Sequence, residues 1–386
     1  MTNITDTVRK TLRGILVCAG VLLAMTGCGY SAEKDKAPAL EGLTFEKELK
    51  NSYATQYKIT AYTGGYKLIE IRDGEKLLAV PKGKACPKNL PEDILPVLVP
   101  AKNIYLVSSS AMALFNACKA EGAVSFLGTP EKNWRIPEVK EAMAQGKIRY
   151  AGKYSAPDYE MLIDNDVRLA IENTMIYHSP ETKEKLEELG IHVFVEKSSY
   201  EKHPLGKTEW MKVYGILTGH EKAAEEAFKI QEEKVKMLEK DRTDTEKKVA
   251  FFFINSKGNV VTYKSDTYVP AMIAIAGGTY LPKDRNADEN RLSIINMTLE
   301  DFYSGASDAD VLIYNASIAG ELKSLEAFKK LSPVLAEFDA VKNGHVWCTG
   351  KNLYQETDKL GDVIANLHEI LADPDAKDTK YLYRLR

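Results

Sequence analysis

The segment from His220 to Lys240, HEKAAEEAFKIQEEKVKMLEK, constrains the fold more than any other part of the chain. It contains neither glycine nor proline, and its apolar residues recur at helical spacing with an interruption at Gln231. A helix of this length measures roughly 30 Å at about 1.5 Å per residue, close to the diameter of a small domain. The segment therefore predicts one rigid helix, assigned to residues 218–241, that joins the parts of the chain on its two sides.

Short apolar runs alternate with helical stretches on both sides of this segment. NIYLV, AVSFLG, RLAIEN and IHVFVE precede it, and VAFFFIN, ADVLIYN and HVWCTG follow it. This alternation is typical of strands and helices wound around a mostly parallel sheet, and 386 residues are too many for one core. The prediction is an α/β fold with two doubly wound, Rossmann-like lobes, residues 45–217 and 242–386, and a ligand cleft between them. From about Tyr57 to Val80 the pattern is β alone.

The first residues have the pattern of a secretory signal. Basic residues from Arg9 to Arg13 precede the apolar run GILVCAGVLLAM, which is too short to span a bilayer comfortably, and small residues follow. We expect residues 1–27 to be removed. LAMTGC, which ends at Cys28, resembles the lipobox of bacterial lipoproteins, and this implies a chain anchored to the outside of the bacterial cell membrane by lipid on Cys28. Residues 28–44 then form a polar tether.

Composition and motifs exclude several classes of function. The formal net charge is −3 and no basic patch is interleaved with aromatic residues, so nucleic acid is not an expected partner. No G-x-S-x-G, no Walker A loop and no G-x-G-x-x-G after a first strand is present, so the chain is not expected to be an enzyme. The six histidines form no H-x-H or H-x-x-x-H pair, so no metal site is predicted. Whether Cys86, Cys118 and Cys348 form one disulfide stays open.

Several longer stretches follow one another in a characteristic order. They are GKYSAPDYEMLIDNDVRLAIENTM, ETKEKLEELGIHVFVE, YVPAMIAIAGGTYL, MTLEDFYSGASDADVLIYN and FDAVKNGHVW. With the long helix and the lipid anchor, this order resembles the substrate-binding lipoproteins of ABC importers for ferric siderophores, haem and vitamin B12, whose lobes are bridged by a single rigid helix. EKHPLGKTEWMKVYG, residues 201–215, is similar to a stretch in a subset for iron-complex uptake, which commonly has arginine where this chain has Lys207.

This resemblance implies a function without chemistry. The anchored protein would capture an iron chelate, haem or a corrinoid between its lobes and deliver it to a permease and its ATPase, with no intrinsic cofactor. The rigid helix would limit closure of the lobes to small angles. Two alternatives stay open: a surface-anchored sensor or adhesive lipoprotein of the same fold, and a protein that binds an oxyanion or a bare metal ion.

The position of the ligand follows from the fold class, since ligands of wound α/β lobes lie beyond the carboxyl ends of the strands. The residues selected on this rule carry hydroxyls, amides, aromatic rings and a few charges, which suit flat chelates and oxygen-rich groups. In the first lobe they are Ser108, Ser109, Ser110, Tyr154, Ser155, Glu172, Asn173, Thr174, Glu196, Lys197, Ser198, Ser199 and Tyr200. In the second lobe they are Asn255, Lys257, Tyr263, Tyr268, Asn315, Ser317, Lys351, Asn352 and Gln355.

Two acids occupy matching places near helix starts. Glu160 follows SAPDY, and Glu300 follows NMTL. The resemblance implies that each lobe presents a surface acid to arginines of the permease, and these two residues match the positions. A carboxylate held in a first helical turn keeps free oxygens for a bidentate guanidinium. Ordinary helix capping is the alternative role for both.

Overall fold

The computed structural model describes residues 38–241, 245–283, 293–373 and 375–386. The predicted signal segment, Cys28 and most of the predicted tether lie outside these residues. Residues 39–386 form one compact unit. Within the described ranges, no helix is long and apolar enough to cross a membrane.

The β-rich region forms a sheet of its own, the N-terminal sheet. Its five strands stand in chain order and are antiparallel except for the last two, which are parallel. They are β1 (Phe45–Leu49), β2 (Tyr57–Tyr62), β3 (Lys67–Ile71), β4 (Lys76–Pro81) and β5 (Ile94–Val99). Because successive side chains point to opposite faces, Ile69 and Leu77 enter the main core while Leu68 and Leu78 enter a smaller cluster on the other face.

The first lobe contains a parallel five-stranded sheet. Its strands are β6 (Ile104–Leu106), β7 (Val124–Leu127), β8 (Arg149–Tyr150), β11 (Leu169–Glu172) and β12 (His192–Val195), and β9 (Gly152–Lys153) and β10 (Ala156–Pro157) form a small hairpin. The order is β12-β11-β6-β7-β8. Six helices accompany these strands: α1 (Ser109–Ala117), α2 (Pro137–Ala144), α3 (Tyr159–Asp164), α4 (Pro180–Glu188), α5 (Pro204–Glu209) and α6 (Met211–Thr218). The next helix, α7 (Glu221–Asp241), leads to the second lobe.

The second lobe is built on a mixed seven-stranded sheet. The strands are β13 (Lys248–Ile254), β14 (Val260–Tyr263), β15 (Thr279–Leu281), β16 (Ile294–Met297), β17 (Val311–Tyr314), β18 (Val346–Thr349) and β19 (Leu382–Arg384). Their order is β16-β14-β13-β17-β18-β19, and β15 pairs with β13. The helices are α8 (Tyr268–Ile275), α9 (Leu299–Ala306), α10 (Ala316–Ala319), α11 (Leu325–Lys329), α12 (Asp339–Lys342) and α13 (Leu360–Ala372). The predicted two-lobed α/β class is confirmed.

Helix α7 confirms the prediction from the Gly- and Pro-free segment. It runs unbroken for 21 residues after Gly219, whose φ of 75° ends α6 in the left-handed conformation. It packs against α6 of the first lobe and α13 of the second. Gln231, which interrupts the apolar stripe, is buried, accepts a hydrogen bond from the Gly361 N–H at 3.0 Å and donates to Asp362 at 3.3 Å. The interruption is therefore a polar contact to α13.

Candidate functional site

Loops at the carboxyl ends of strands from the two lobes meet at one point. The side-chain amide of Gln355, in the loop after β18, accepts a hydrogen bond from the Arg135 N–H at 2.7 Å and donates to the Asn133 carbonyl at 2.9 Å. Both partners lie in the loop after β7, and Gln355 is only 9% exposed. This paired contact, the interlobe clasp, holds the two loops together.

The segment EKHPLGKTEW carries two fully buried acids with complete hydrogen-bond partners. The carboxylate of Glu209 accepts the backbone N–H groups of Ser52, Tyr53 and Ala54, each at 2.8 Å. Lys212 adds an ion pair at 3.1 Å. Three aligned N–H donors solvate a carboxylate well in the absence of water. Glu209 therefore fixes the loop between β1 and β2 of the N-terminal sheet.

Glu201 fixes the following two residues in the same way. Its carboxylate accepts the N–H of Thr55 at 2.7 Å, the N–H of Gln56 at 3.1 Å and the indole N–H of Trp210 at 2.9 Å. Burial raises the pKa of Glu201, and these hydrogen bonds oppose the rise. Gly206 lies between these contacts. A side chain would be crowded at this position, because its Cβ would approach the Tyr53 carbonyl oxygen to 3.0 Å.

Lys207 of the same segment has a different environment. It is 4% exposed, and its ammonium lies 4.8 Å from the ring centroid of Tyr268 in the second lobe. No carboxylate of the described residues lies within 4 Å of it. Burial lowers the pKa of Lys207, and the more distant charges of Glu196 and Glu201 oppose this effect. Lys207 is thus a deeply buried amine with no carboxylate close to it among the described residues, at the boundary of the lobes.

A small cavity lies beside this ammonium. Its volume is about 10 Å³, room for about one water molecule. The lining side chains are Lys207, Phe251, Tyr263, Tyr268, Val269, Met272, Leu353, Tyr354, Thr357 and Leu360. The hydroxyls of Tyr263 and Tyr354 are 2.7 Å apart, and the Asn315 amide donates to Tyr354 at 3.1 Å. This space is too small for a chelate or a tetrapyrrole.

The serines predicted after β6 gather around Glu196. The Ser108 hydroxyl donates to Glu196 at 2.7 Å, Ser110 does so at 3.4 Å, and the Ser198 N–H donates to the other carboxylate oxygen at 2.9 Å. Ser109, Ser199 and Tyr200 are half-buried near these elements. The ammonium of Lys197 donates to the carbonyls of residues 72 and 73 at 2.6 and 2.8 Å, a contact to the N-terminal sheet.

Glu172 occupies an unusual site at the end of β11. It is 0% exposed, and neither carboxylate oxygen has a hydrogen-bond partner among the described residues. Burial raises its pKa to about 8. Glu172 shares a strand face with Ala170, which belongs to an apolar cluster that also includes Phe126 and Val195.

The remaining first-lobe candidates form turns or pack on the same cluster. Asn173 accepts the Met175 N–H at 2.9 Å and so begins the turn after β11, in which Thr174 is half-buried. Tyr154 packs against the cluster that contains Ala170, and Ser155 lies in the turn of the β9–β10 hairpin.

Most second-lobe candidates are engaged in loop hydrogen bonds. Asn255 accepts the N–H groups of Lys257 and Asn259 at 2.9 and 3.1 Å, and Lys257 is exposed in this hairpin turn. Asn315 caps α10 through the Ser317 N–H at 3.1 Å, and the Ser317 hydroxyl donates to the Gly350 carbonyl at 3.3 Å.

Two further second-lobe candidates are bound to nearby acids. Lys351 pairs with Glu321 at 3.4 Å, and Asn352 donates to Glu356 at 2.7 Å. Of the selected residues in this lobe, the structure brings Tyr263, Tyr268 and Asn315 together beside Lys207.

Some residues of the loops that follow the strands carried no usable signal in the sequence. Tyr354 completes the polar group around the cavity, although only its neighbour Gln355 was selected. Three apolar side chains in the turns after β11 and β17 are about half exposed: Met175, Tyr177 and Ile318. Arg135 is exposed, and its guanidinium donates only to carbonyls within the described chain. An exposed side chain and a buried one look alike in a sequence, so these positions depend on the fold.

The cysteines and the possible metal ligands form no further site within the described ranges. Cys86, Cys118 and Cys348 are all free thiols, which removes the disulfide that the sequence left open. Within the described ranges, no group of three or more His, Cys, Asp or Glu residues has the geometry to hold a metal ion.

Glu160 and Glu300 are both exposed, and neither caps its helix. Asp158 caps α3 by accepting the Met161 N–H, and Thr298 caps α9 by accepting the Asp301 N–H. Among the described residues, neither Glu160 nor Glu300 makes a hydrogen bond or an ion pair. Their carboxylates are therefore open to an external partner.

Comparisons with known proteins agree with this architecture. The family described as periplasmic binding protein matches residues 127–353. An uncharacterized lipoprotein of Methanocaldococcus jannaschii is 27% identical over 318 residues, 79% of this chain and 74% of the relative.

Two solved structures share the fold at low sequence identity. The triscatecholate siderophore binding protein FeuA from Bacillus subtilis, complexed with ferri-bacillibactin, has a TM-score of 0.56 and 18% identity over 72% of this chain and 94% of its own. A periplasmic heme binding protein from Pseudomonas aeruginosa has a TM-score of 0.55 and 16% identity over 74% of this chain and 98% of its own.

Proposed function

Because this chain belongs to the periplasmic binding protein family, we propose that it is the substrate-binding lipoprotein of an ABC importer for an iron chelate, haem or a corrinoid. It captures this ligand between its lobes and delivers it to the permease unaltered. Anchoring through Cys28 is part of the proposal and is supported by the lipoprotein relative. The observation that carries the proposal is that the single helix α7 packs against both lobes. Lys207 and Gln355 lie at the boundary between these lobes.

The direct test identifies what the protein carries. The full chain is purified from cells that make it, under iron limitation, and any co-purified compound is analysed by mass spectrometry and visible absorbance. We expect a metal chelate or tetrapyrrole at about one molecule per chain. A protein that remains empty, and whose tryptophan fluorescence does not change with siderophores, haem or corrinoids, contradicts the proposal.

The delivery step is tested at the two exposed acids. We propose that Glu160 and Glu300 dock the two lobes on arginines of the permease, since both are exposed and capping is done by Asp158 and Thr298. The double variant Glu160→Lys, Glu300→Lys should bind ligand normally and support less than about a tenth of normal uptake, because like charges repel at the interface.

A matched control reverses two other exposed acids, Glu184→Lys and Glu326→Lys, on α4 and α11. Uptake by this control should stay near normal. Equal uptake by both double variants contradicts the docking role and favours a sensor or adhesive protein of the same fold.

A further inference from the structure

We propose that Lys207 is the residue that receives the ligand in the cleft, and that it selects ligands with a free carboxylate-type oxygen anion. This inference rests on the proposed function and narrows its ligand class. It follows from three features of the structure: the missing anion at Lys207, the chemistry of the adjacent cavity and the size of that cavity.

The first feature becomes clear beside Lys212, five residues later. Lys212 also lies over an aromatic ring, 4.5 Å from the centroid of Phe228, but it pairs with Glu209 at 3.1 Å and Glu225 at 3.3 Å. Lys207 is more deeply buried and, among the described residues, has no carboxylate within 4 Å. A buried charge is costly unless it is paired. The position is therefore poor for stability alone and suits an anion from outside the chain.

The second feature is the lining of the cavity. It contains the Lys207 ammonium and the phenols of Tyr263, Tyr268 and Tyr354, and none of its lining residues in the described ranges is an acid. An ammonium and phenol hydroxyls can donate hydrogen bonds to an oxygen anion. A bare metal cation would be repelled by the same ammonium. The chemistry of this cavity thus favours an anion and opposes the bare-ion alternative.

The third feature is size. The cavity volume of about 10 Å³ admits one oxygen-sized group and no ring or metal centre. One oxygen of a pendant carboxylate can take the place of a water molecule there, while the rest of the ligand stays nearer the cleft mouth. Met175 and Tyr177, after β11, and Ile318, after β17, are exposed apolar side chains beyond the carboxyl ends of their strands, where they can offer apolar contacts to such a body.

The test compares chelates with and without free carboxylates. Haemin and ferric citrate carry them, whereas haemin dimethyl ester, a neutral ferric trihydroxamate and cyanocobalamin do not. Each is titrated by tryptophan fluorescence against the wild-type chain, Lys207→Met, Lys207→Arg and the control Lys212→Met. Lys207→Met keeps the length of the side chain and removes its charge.

We expect at least one carboxylate chelate to bind the wild type. Lys207→Met should weaken that binding about tenfold or more, Lys207→Arg by less than about threefold, and Lys212→Met should leave it unchanged. Lys207→Met should also melt no lower than the wild type, since it removes an unpaired buried charge. That pairing of lost affinity with retained stability separates a ligand contact from a structural role.

Three results would overturn the inference. Carboxylate chelates that bind Lys207→Met as tightly as wild type remove Lys207 from recognition. Binding of carboxylate-free chelates alone contradicts the ligand class and leaves the proposed function intact. Failure of all five compounds to bind contradicts the proposed function together with the inference.

Discussion

At the scale of the residue, the ionisable groups of this chain differ in how completely they are solvated by the protein. Glu201 and Glu209 are buried with several N–H donors each, whereas Glu172 is buried with none among the described residues. An acid without donors in an apolar cluster keeps its proton, because the charged form loses hydration and gains nothing in return. Glu172 is therefore expected to be neutral at pH 7 and to make stability depend on pH.

The prediction for Glu172 follows from linkage. Its pKa is raised from 4.5 to about 8 on folding, so the folded state holds a proton that the unfolded state releases as pH rises above 4.5. Stability should fall between pH 5 and pH 7 by about 2–3 kcal/mol through this one group, and level off above pH 8. In Glu172→Gln this fall should be absent. Urea unfolding of both proteins at pH 5, 6, 7 and 8 measures the difference, and parallel pH profiles would contradict it.

At the scale of the element, the segment EKHPLGKTEW links the first lobe to the N-terminal sheet. Glu201 lies before α5 and Glu209 is the last residue of α5, yet both acids bind N–H groups some 150 positions earlier in the chain. The strand β2 follows directly after this bound segment. The segment thus fixes where the N-terminal sheet joins the first lobe. The Lys207 side chain projects from helix α5 of this segment toward the second lobe.

The prediction for this element concerns Glu209. Glu209→Ala leaves three N–H groups and Lys212 without their shared partner, and should lower the free energy of unfolding by about 3–5 kcal/mol. The matched control is Glu225→Ala, which removes the other partner of Lys212 on the exposed side of α7 and should cost less than about 1 kcal/mol. Urea denaturation compares the two; similar losses would exclude the anchoring role of Glu209.

At the scale of the whole molecule, several polar contacts hold the two lobes together. α7 pairs with α13 through Lys234 and Asp362 at 2.6 Å, and Thr208 donates to the Thr357 carbonyl at 3.0 Å. The interlobe clasp at Gln355 lies in the loops that meet at the carboxyl ends of β7 and β18. A ligand too large for the cavity beside Lys207 either stays outside it or displaces some of these contacts, and the clasp can be removed by one substitution.

Removal of the clasp should loosen the boundary without unfolding the lobes. Gln355→Ala takes away the acceptor of the Arg135 N–H, so amide exchange in residues 131–136 should accelerate about tenfold, the equivalent of about 1.4 kcal/mol. Asn352→Ala, in the same loop, is the control: it removes only a side-chain hydrogen bond to Glu356, keeps the backbone bond to Gln355 and should leave that exchange unchanged. Hydrogen exchange read by mass spectrometry decides the matter, and equal rates in both variants would show that the clasp does not hold the lobes.

Local pattern in the sequence was sufficient for the large features. The helix that became α7, the strands β6, β7, β11, β12, β13, β17 and β18 and the class of fold follow from periodicities of 3.6 and 2 and from the residues that end each element. The rule about strand ends also selected Asn315 and Gln355, which follow the parallel strands β17 and β18, whereas Tyr263 ends β14, which runs antiparallel to both of its neighbours. The class of fold and α7 could be inferred because they need only neighbours along the chain.

Only the tertiary structure decided which side chains meet. Gln355 bonds to Asn133 and Arg135, and, among the described residues, Lys207 lies beside Tyr268 with no close anion and Glu172 has no donor. Each of these facts depends on distances between residues far apart in sequence, and a few ångströms separate a paired charge from an unpaired one. Periodicity holds no record of such distances, because packing of the two lobes and the N-terminal sheet sets them.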